Sequence, residues 1–144
     1  MTGTSSTLAR VTAEPLDVGV HLAVVSGPRA GAVATFVGLV RDHDPSVTGR
    51  VVGLDYSSHP EAESVLGRLV ADAAALDGVL GVAVSHRTGL LDVGGIAIVA
   101  AVATAHRTLA FDVCRALVET VKAELPVWKR EVLADGSHVW VGSA

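Results

Sequence analysis

Apolar positions along the chain change period from segment to segment, and the period assigns the elements. Val65, Leu69, Ala73 and Leu76 recur every three or four residues, the spacing of one helical face. His59-Pro60 opens this helix, since a first turn leaves its N–H groups unpaired and tolerates proline, and Asp77-Gly78 stops it. Leu109, Val113, Leu117 and Val121 mark a longer helix from about His106 to Leu125, terminated by Pro126. Leu16 to Val25 reads as a short helix with an apolar face, ended by Ser26-Gly27-Pro28. Between the helices, Gly31 to Arg41, Arg50 to Ser58, Val79 to Arg87 and Gly95 to Ala105 are rich in strand formers. Val11 to Ala13 starts a short strand. Val127 to Leu133 and His138 to Val141 form a hairpin around Ala134-Asp135-Gly136-Ser137. RDHDPSVTG is an exposed loop and LLDVGG a turn, both dense in turn residues.

Strand pairs that follow one another without an intervening helix predict an α+β fold, largely antiparallel, with three helices. No repeat or linker divides the sequence, so residues 1–144 read as a single domain with residues 1–9 flexible.

Composition narrows the class. The chain has 144 residues, 50% apolar and 18% charged, which excludes a disordered segment. A formal charge of −4 gives no basic field for nucleic acid, so any bound anion needs a local cluster of cations. The longest apolar run, Gly94 to Ala105, is too short to span a bilayer. The first residues lack a secretory pattern, and a cytoplasmic protein without membrane or nucleic-acid partners is expected. Cys114 is the single cysteine. It allows no internal disulfide or cysteine-based zinc site, and inside the long helix it reads as a small buried hydrophobe.

Candidate chemistry begins with the cations. Of 11 Lys and Arg residues, Lys122 and Lys129 alone are lysines. Coding bias explains the scarcity of lysine, but not two survivors seven residues apart. Lysine can lose a proton where arginine cannot. Lys122 falls away from the apolar stripe of its helix, on the side of Arg115, so it faces solvent or a partner. With Trp128 packed inward, Lys129 and Glu131 share the open face of the last strand pair. His106 and Arg107 open the long helix, where unpaired donors favour an anion; a solvated pair with Thr104 as cap is the alternative. Asp42, His43 and Asp44 are three consecutive ligand types that rarely converge on one ion, so no metal is expected. His86-Arg87 reads as structural, and Gly94-Gly95 is no dinucleotide fingerprint.

From about residue 14 to residue 141 the sequence resembles the catalytic (large) subunit family of molybdopterin synthase. GAVATFVGLVRDHD, YSSHPEAE, VSHRTGLLDVGG, ATAHRTLAF and KAELPVWKRE carry the resemblance. It implies an α/β-hammerhead-type fold and a homodimer within a heterotetramer. The other subunit would be a small ubiquitin-like sulfur carrier with a Gly-Gly C-terminus. The carrier's thiocarboxylate would supply sulfur to cyclic pyranopterin monophosphate, so no cofactor is implied. The resemblance makes Lys122 the main acid/base or transient covalent group and Lys129 its assistant. Arg41, His106, Arg107 and Arg130 would hold phosphate and pterin, with Leu39 and Val40 beside the substrate. Glu131 would orient a lysine or a pterin nitrogen, and Phe36 would shape the pocket. Leu39 stands where members often have lysine, the chain stops soon after the last strand, and aspartates flank His43 in place of asparagine. A non-catalytic module binding a phosphorylated metabolite or a protein tail is the alternative.

Overall fold

The computed structural model describes residues 5–45 and 47–143. In chain order the elements are β1 (Ser6–Thr12), α1 (Val18–Val25), β2 (Ala32–Leu39), β3 (Val51–Ser58), α2 (Ala62–Ala74) and β4 (Val79–Arg87). They are followed by β5 (Gly89–Asp92), β6 (Ile96–Thr104), α3 (Arg107–Glu124), β7 (Val127–Leu133) and β8 (His138–Ser143). Two four-stranded sheets result, ordered β1-β4-β6-β2 and β5-β3-β7-β8. The α+β expectation with three helices holds. Pairing is antiparallel throughout except between β1 and β4.

The first sheet is covered on both faces, which explains the near-continuous apolar runs of β4 and β6. Alternate residues serve the two faces. Val82, Val84, Ala100 and Val102 join the main core with α2 and α3, while Ala83, Ala101 and Ala103 meet Val25 of α1. Helix α3 buries Ala110, Val113, Cys114, Leu117, Val118 and Val121, the expected stripe widened by Ala110, Cys114 and Val118, with Leu109 only half-buried. Helix α1 lies so close to β4 that a Cβ on Gly81 would come 2.8 Å from the Val25 Cα. Asp17 caps α1 by accepting from the Gly19 N–H at 2.8 Å. His21 then ties the helix to β4 through the Ser85 hydroxyl at 2.7 Å.

Several expectations need correction. Residues 6–9 were expected to be flexible but belong to β1, which runs from Ser6↔Gly81 to Thr12↔Arg87 along β4. Ser5 is held as well, its hydroxyl within hydrogen-bond distance of the Ala74 and Val79 carbonyls, and the rest of that expectation, on residues 1–4, lies outside the described residues. The stretch LLDVGG contains most of β5, a short edge strand paired with β3. Leu76 lies beyond α2 and is exposed; the helix buries Ala62, Leu66 and Val70 beside Leu69 and Ala73. The parity of β7 is the reverse of that expected. Val127 is buried, whereas Trp128 is 40% exposed on the outer face. Lys129 and Glu131 therefore share the inward side with Val127, not an open one.

Candidate functional site

The inward face of the second sheet does not close against the first everywhere. Where the end of β2, the end of β4 and the last turn of α3 meet β3 and β7, a cavity of about 370 Å³ remains. Its walls gather residues far apart in sequence. Strand β2 contributes Phe36 and Leu39, and Arg41 follows it; the next loop contributes His43 and Asp44. Tyr56 comes from β3, His86 from β4, Lys122 from α3, and Lys129 with Glu131 from β7.

Local structure explains each placement. The register of β2 with β6 slips between Gly38 and Leu39, and such a bulge re-aims the side chains beyond it. Gly38 is required there, because a Cβ would fall 2.5 Å from the Ile98 Cγ2. Beyond the bulge Leu39 turns outward to the cavity rim, 60% exposed. Helix α3 stops at Leu125, and the Pro126 carbonyl accepts from the His59 N–H at 3.0 Å. That tether folds β7 back at once, with Lys129 opposite Tyr56 in the β3 register. A reversal over so few residues brings Lys129 to the cavity that Lys122 lines from the helix end.

The cavity is lined by aromatic and apolar groups on one side and by charges on the other. His86 is buried and its ring meets Tyr56 edge-on, centroids 5.1 Å apart. Its Nδ1–H donates to the Arg87 carbonyl at 2.8 Å. Burial, and secondarily the charge of Lys122, lower the His86 pKa to about 4 despite that hydrogen bond. The imidazole is thus neutral at ordinary pH. Tyr56 is pushed up to about 12 by burial and by Glu131. Glu131 is 2% exposed. Burial raises its pKa to about 7, aided by a hydrogen bond to Asp44 and the charge of that residue, against the opposing pull of Lys129 and Arg41. The Lys129 Nζ lies 4.0 Å from an Asp44 carboxyl oxygen.

Of the residues singled out from sequence, Phe36, Leu39, Arg41, Lys122, Lys129 and Glu131 come together here. Val40 does not line the cavity: its side chain is in the core, and its N–H and carbonyl are bonded to Gly95 and Gly94. Arg130 sits on the opposite face of β7, paired with Asp55 and with its guanidinium 5.5 Å from the Trp140 ring centroid. His106 and Arg107 are at the far end of α3, some 15 residues or roughly 23 Å from Lys122 at the helical rise. Thr104 does not cap that helix; its hydroxyl donates to the His106 carbonyl at 2.6 Å. Tyr56 and His86 were not recognised as site residues, and His43 and Asp44 were weighed only as metal ligands. The β3–β7 register that puts Tyr56 beside Lys129 is the signal that would have found the first. Nothing in the period of β4 distinguishes His86 from a structural strand end.

Chemically, the cavity can hold an anion between Arg41 and the two lysines, and it sets their amines beside a carboxyl whose pKa is raised to about 7. Cys114 cannot take part as a nucleophile, because it is buried in α3, which raises its pKa. Among the described residues no cluster of His, Cys, Asp or Glu has a metal-holding arrangement.

The MoaE protein family model matches residues 11–124. The catalytic subunit 1 of molybdopterin synthase from Mycobacterium tuberculosis is 41% identical over 138 residues, covering 92% of this chain and 89% of that protein. The catalytic subunit from Thermoplasma volcanium is 38% identical, covering 88% and 89%. The crystal structure of molybdopterin synthase from Staphylococcus aureus superposes with a TM-score of 0.81 at 25% identity, covering 99% of each chain. By sequence and by fold, the chain belongs to the MoaE protein family, the family of these molybdopterin synthase catalytic subunits.

Proposed function

We propose that the chain acts as the catalytic subunit of a molybdopterin synthase, transferring sulfur from a thiocarboxylated carrier to cyclic pyranopterin monophosphate. The observation that carries this reading is the meeting of Lys122 and Lys129 in one cavity with Arg41, in a chain whose other cationic side chains are all arginine. Arg41 and Lys129 hold the phosphate and the carrier's terminal carboxyl group as charge-assisted donors. Lys122, which lines the cavity from the end of α3, serves as acid/base or as transient covalent acceptor of the carrier's acyl group. Phe36 and Tyr56 give the pterin ring its apolar surfaces.

Sulfur must arrive from outside, since the chain's one thiol is buried away from the cavity. A small ubiquitin-like partner with a Gly-Gly tail meets this need, because a tail without side chains can lie close against the walls of the cavity. No cofactor is required. His106 and Arg107 complete the substrate site from a second copy of the chain: one α3 is far too long for them to reach Lys122 of their own protomer. A homodimer flanked by two carriers, a heterotetramer, follows, and its setting is the cytoplasm. No described helix is long and apolar enough to cross a membrane.

The test is reconstitution. Purified chain, thiocarboxylated carrier and precursor should yield molybdopterin, and omission of the thiocarboxylate should abolish the product. Precursor left unchanged, under conditions where a known synthase converts it, would overturn the reading.

A further inference from the structure

Glu131 and Asp44 reach each other from different elements, the middle of β7 and the loop between β2 and β3. Both line the same cavity, and Asp44 raises the Glu131 pKa through its charge and through hydrogen bonding between the two carboxyl groups. Two carboxylates have only acceptors, so such a bond requires a proton on one of them. Glu131 is almost fully buried, the Asp44 side chain is 13% exposed, and the Asp44 oxygen stands 4.0 Å from the Lys129 Nζ. Neither residue belongs to an isolated acidic patch. Arg41 faces the pair from the end of β2, Lys122 from α3, Tyr56 from β3 and His86 from β4, with His43 on the same loop as Asp44.

The geometry points to Asp44 and Glu131 working as a one-proton carboxyl pair, in which Asp44 is a positioning residue that adds to burial in holding the proton on Glu131 and lies beside the Lys129 ammonium. The inference rests on the sulfur-transfer reading for its purpose, not for its physics. While the pair holds its proton, Arg41, Lys122 and Lys129 face one negative charge; once it is lost they face two. The proton therefore frees cationic field for an incoming anion. Burial and the Asp44 charge together place the ionisation of Glu131 at about 7, so this field is tunable in the neutral range. Asparagine at 44 would still accept a hydrogen bond but would remove the like charge, and ionised Glu131 would then compete with substrate across that range.

The test needs no turnover, so its failure is distinct from failure of the enzymatic reading. The full chain, labelled with ¹³C at glutamate side-chain carboxyls, is titrated by NMR, with the Glu131 signal identified by its loss in Glu131→Gln. Glu131 is expected to titrate near 7 in the wild type, and about one unit or more lower in Asp44→Asn. Binding of sulfate, whose own charge is constant, is measured alongside. Its Kd should rise in the wild type as pH climbs through the Glu131 midpoint, and in Asp44→Asn the rise should move to lower pH together with that midpoint. A wild-type midpoint in the ordinary glutamate range, a midpoint unmoved by Asp44→Asn, or identical sulfate profiles in the two proteins would overturn the proposal.

Discussion

Replacing His86 by glutamine exposes a pH dependence of stability that the wild-type protein partly conceals. His86 is 4% exposed, and its pKa is lowered from 6.5 to about 4, chiefly by burial. Between those values the unfolded chain binds a proton that the folded chain refuses. Its contribution to stability is complete above 6.5 and is lost as pH falls toward about 4. At 1.36 kcal/mol per unit, the loss is roughly 3 kcal/mol, a large share of a typical domain's stability. Glu131 acts in the opposite sense. With its pKa raised from 4.5 to about 7, its contribution is complete below 4.5 and fades as pH rises through about 7. The two windows overlap with contrary slopes, so a single wild-type curve shows neither. Urea denaturation of wild type and His86→Gln, at one fixed protein concentration, separates them. The variant's stability relative to wild type should rise by about 3 kcal/mol on going from neutral pH to about pH 4. Parallel curves would refute the burial argument for His86.

Gly81→Ala should cost about 1–3 kcal/mol in urea denaturation, because its Cβ would meet the α1 backbone at Val25; a neutral effect would mean that α1 shifts freely. Arg41→Ala should weaken substrate binding severely, whereas Arg130→Ala, on the far face of β7 with Asp55, should alter stability more than KM. If a second copy supplies Arg107, mixing inactive Lys122→Ala and Arg107→Ala proteins should restore about a quarter of wild-type activity. In a randomised two-fold dimer half the pairs are mixed, and each mixed pair has one intact site. No recovery after verified subunit exchange would remove Arg107 from the partner's site.

The sequence disclosed most of this architecture because its periods are clean. The α3 stripe of Val113, Leu117 and Val121 and the unbroken apolar runs of β4 and β6 each dictate one element type and one degree of burial. Strand β5 escaped because four residues at a sheet edge show too little alternation to outvote Gly-rich turn signals. Strand β1 was underestimated for a related reason: its STLARVT sequence is half polar and is held by pairing with β4, which lies about 75 residues away. Parity in β7 failed because the largest side chain was taken to be the buried one. Val127, directly after the helix, is fully buried in the main core, and period two then sends Trp128 outward. In the site, spacing identified the lysines, but the opposite wall of Tyr56 and His86 depends on sheet register, which no local pattern encodes. The helix start at His106 and Arg107 was legible in the sequence, yet their distance from Lys122 follows only from the length of α3.

The claim on which the account turns is that Lys122 and Lys129 perform the chemistry of a single cavity. Turnover of the precursor, measured with thiocarboxylated carrier for wild type, Lys122→Ala and Lys129→Ala alongside carrier affinity, tests it most directly. Loss of proton transfer or covalent capture should lower kcat by about 10²-fold or more in Lys122→Ala, and substantially in Lys129→Ala, with carrier affinity nearly preserved. Variants that turn over at the wild-type rate, or that lose activity only as far as they lose the carrier, would contradict it.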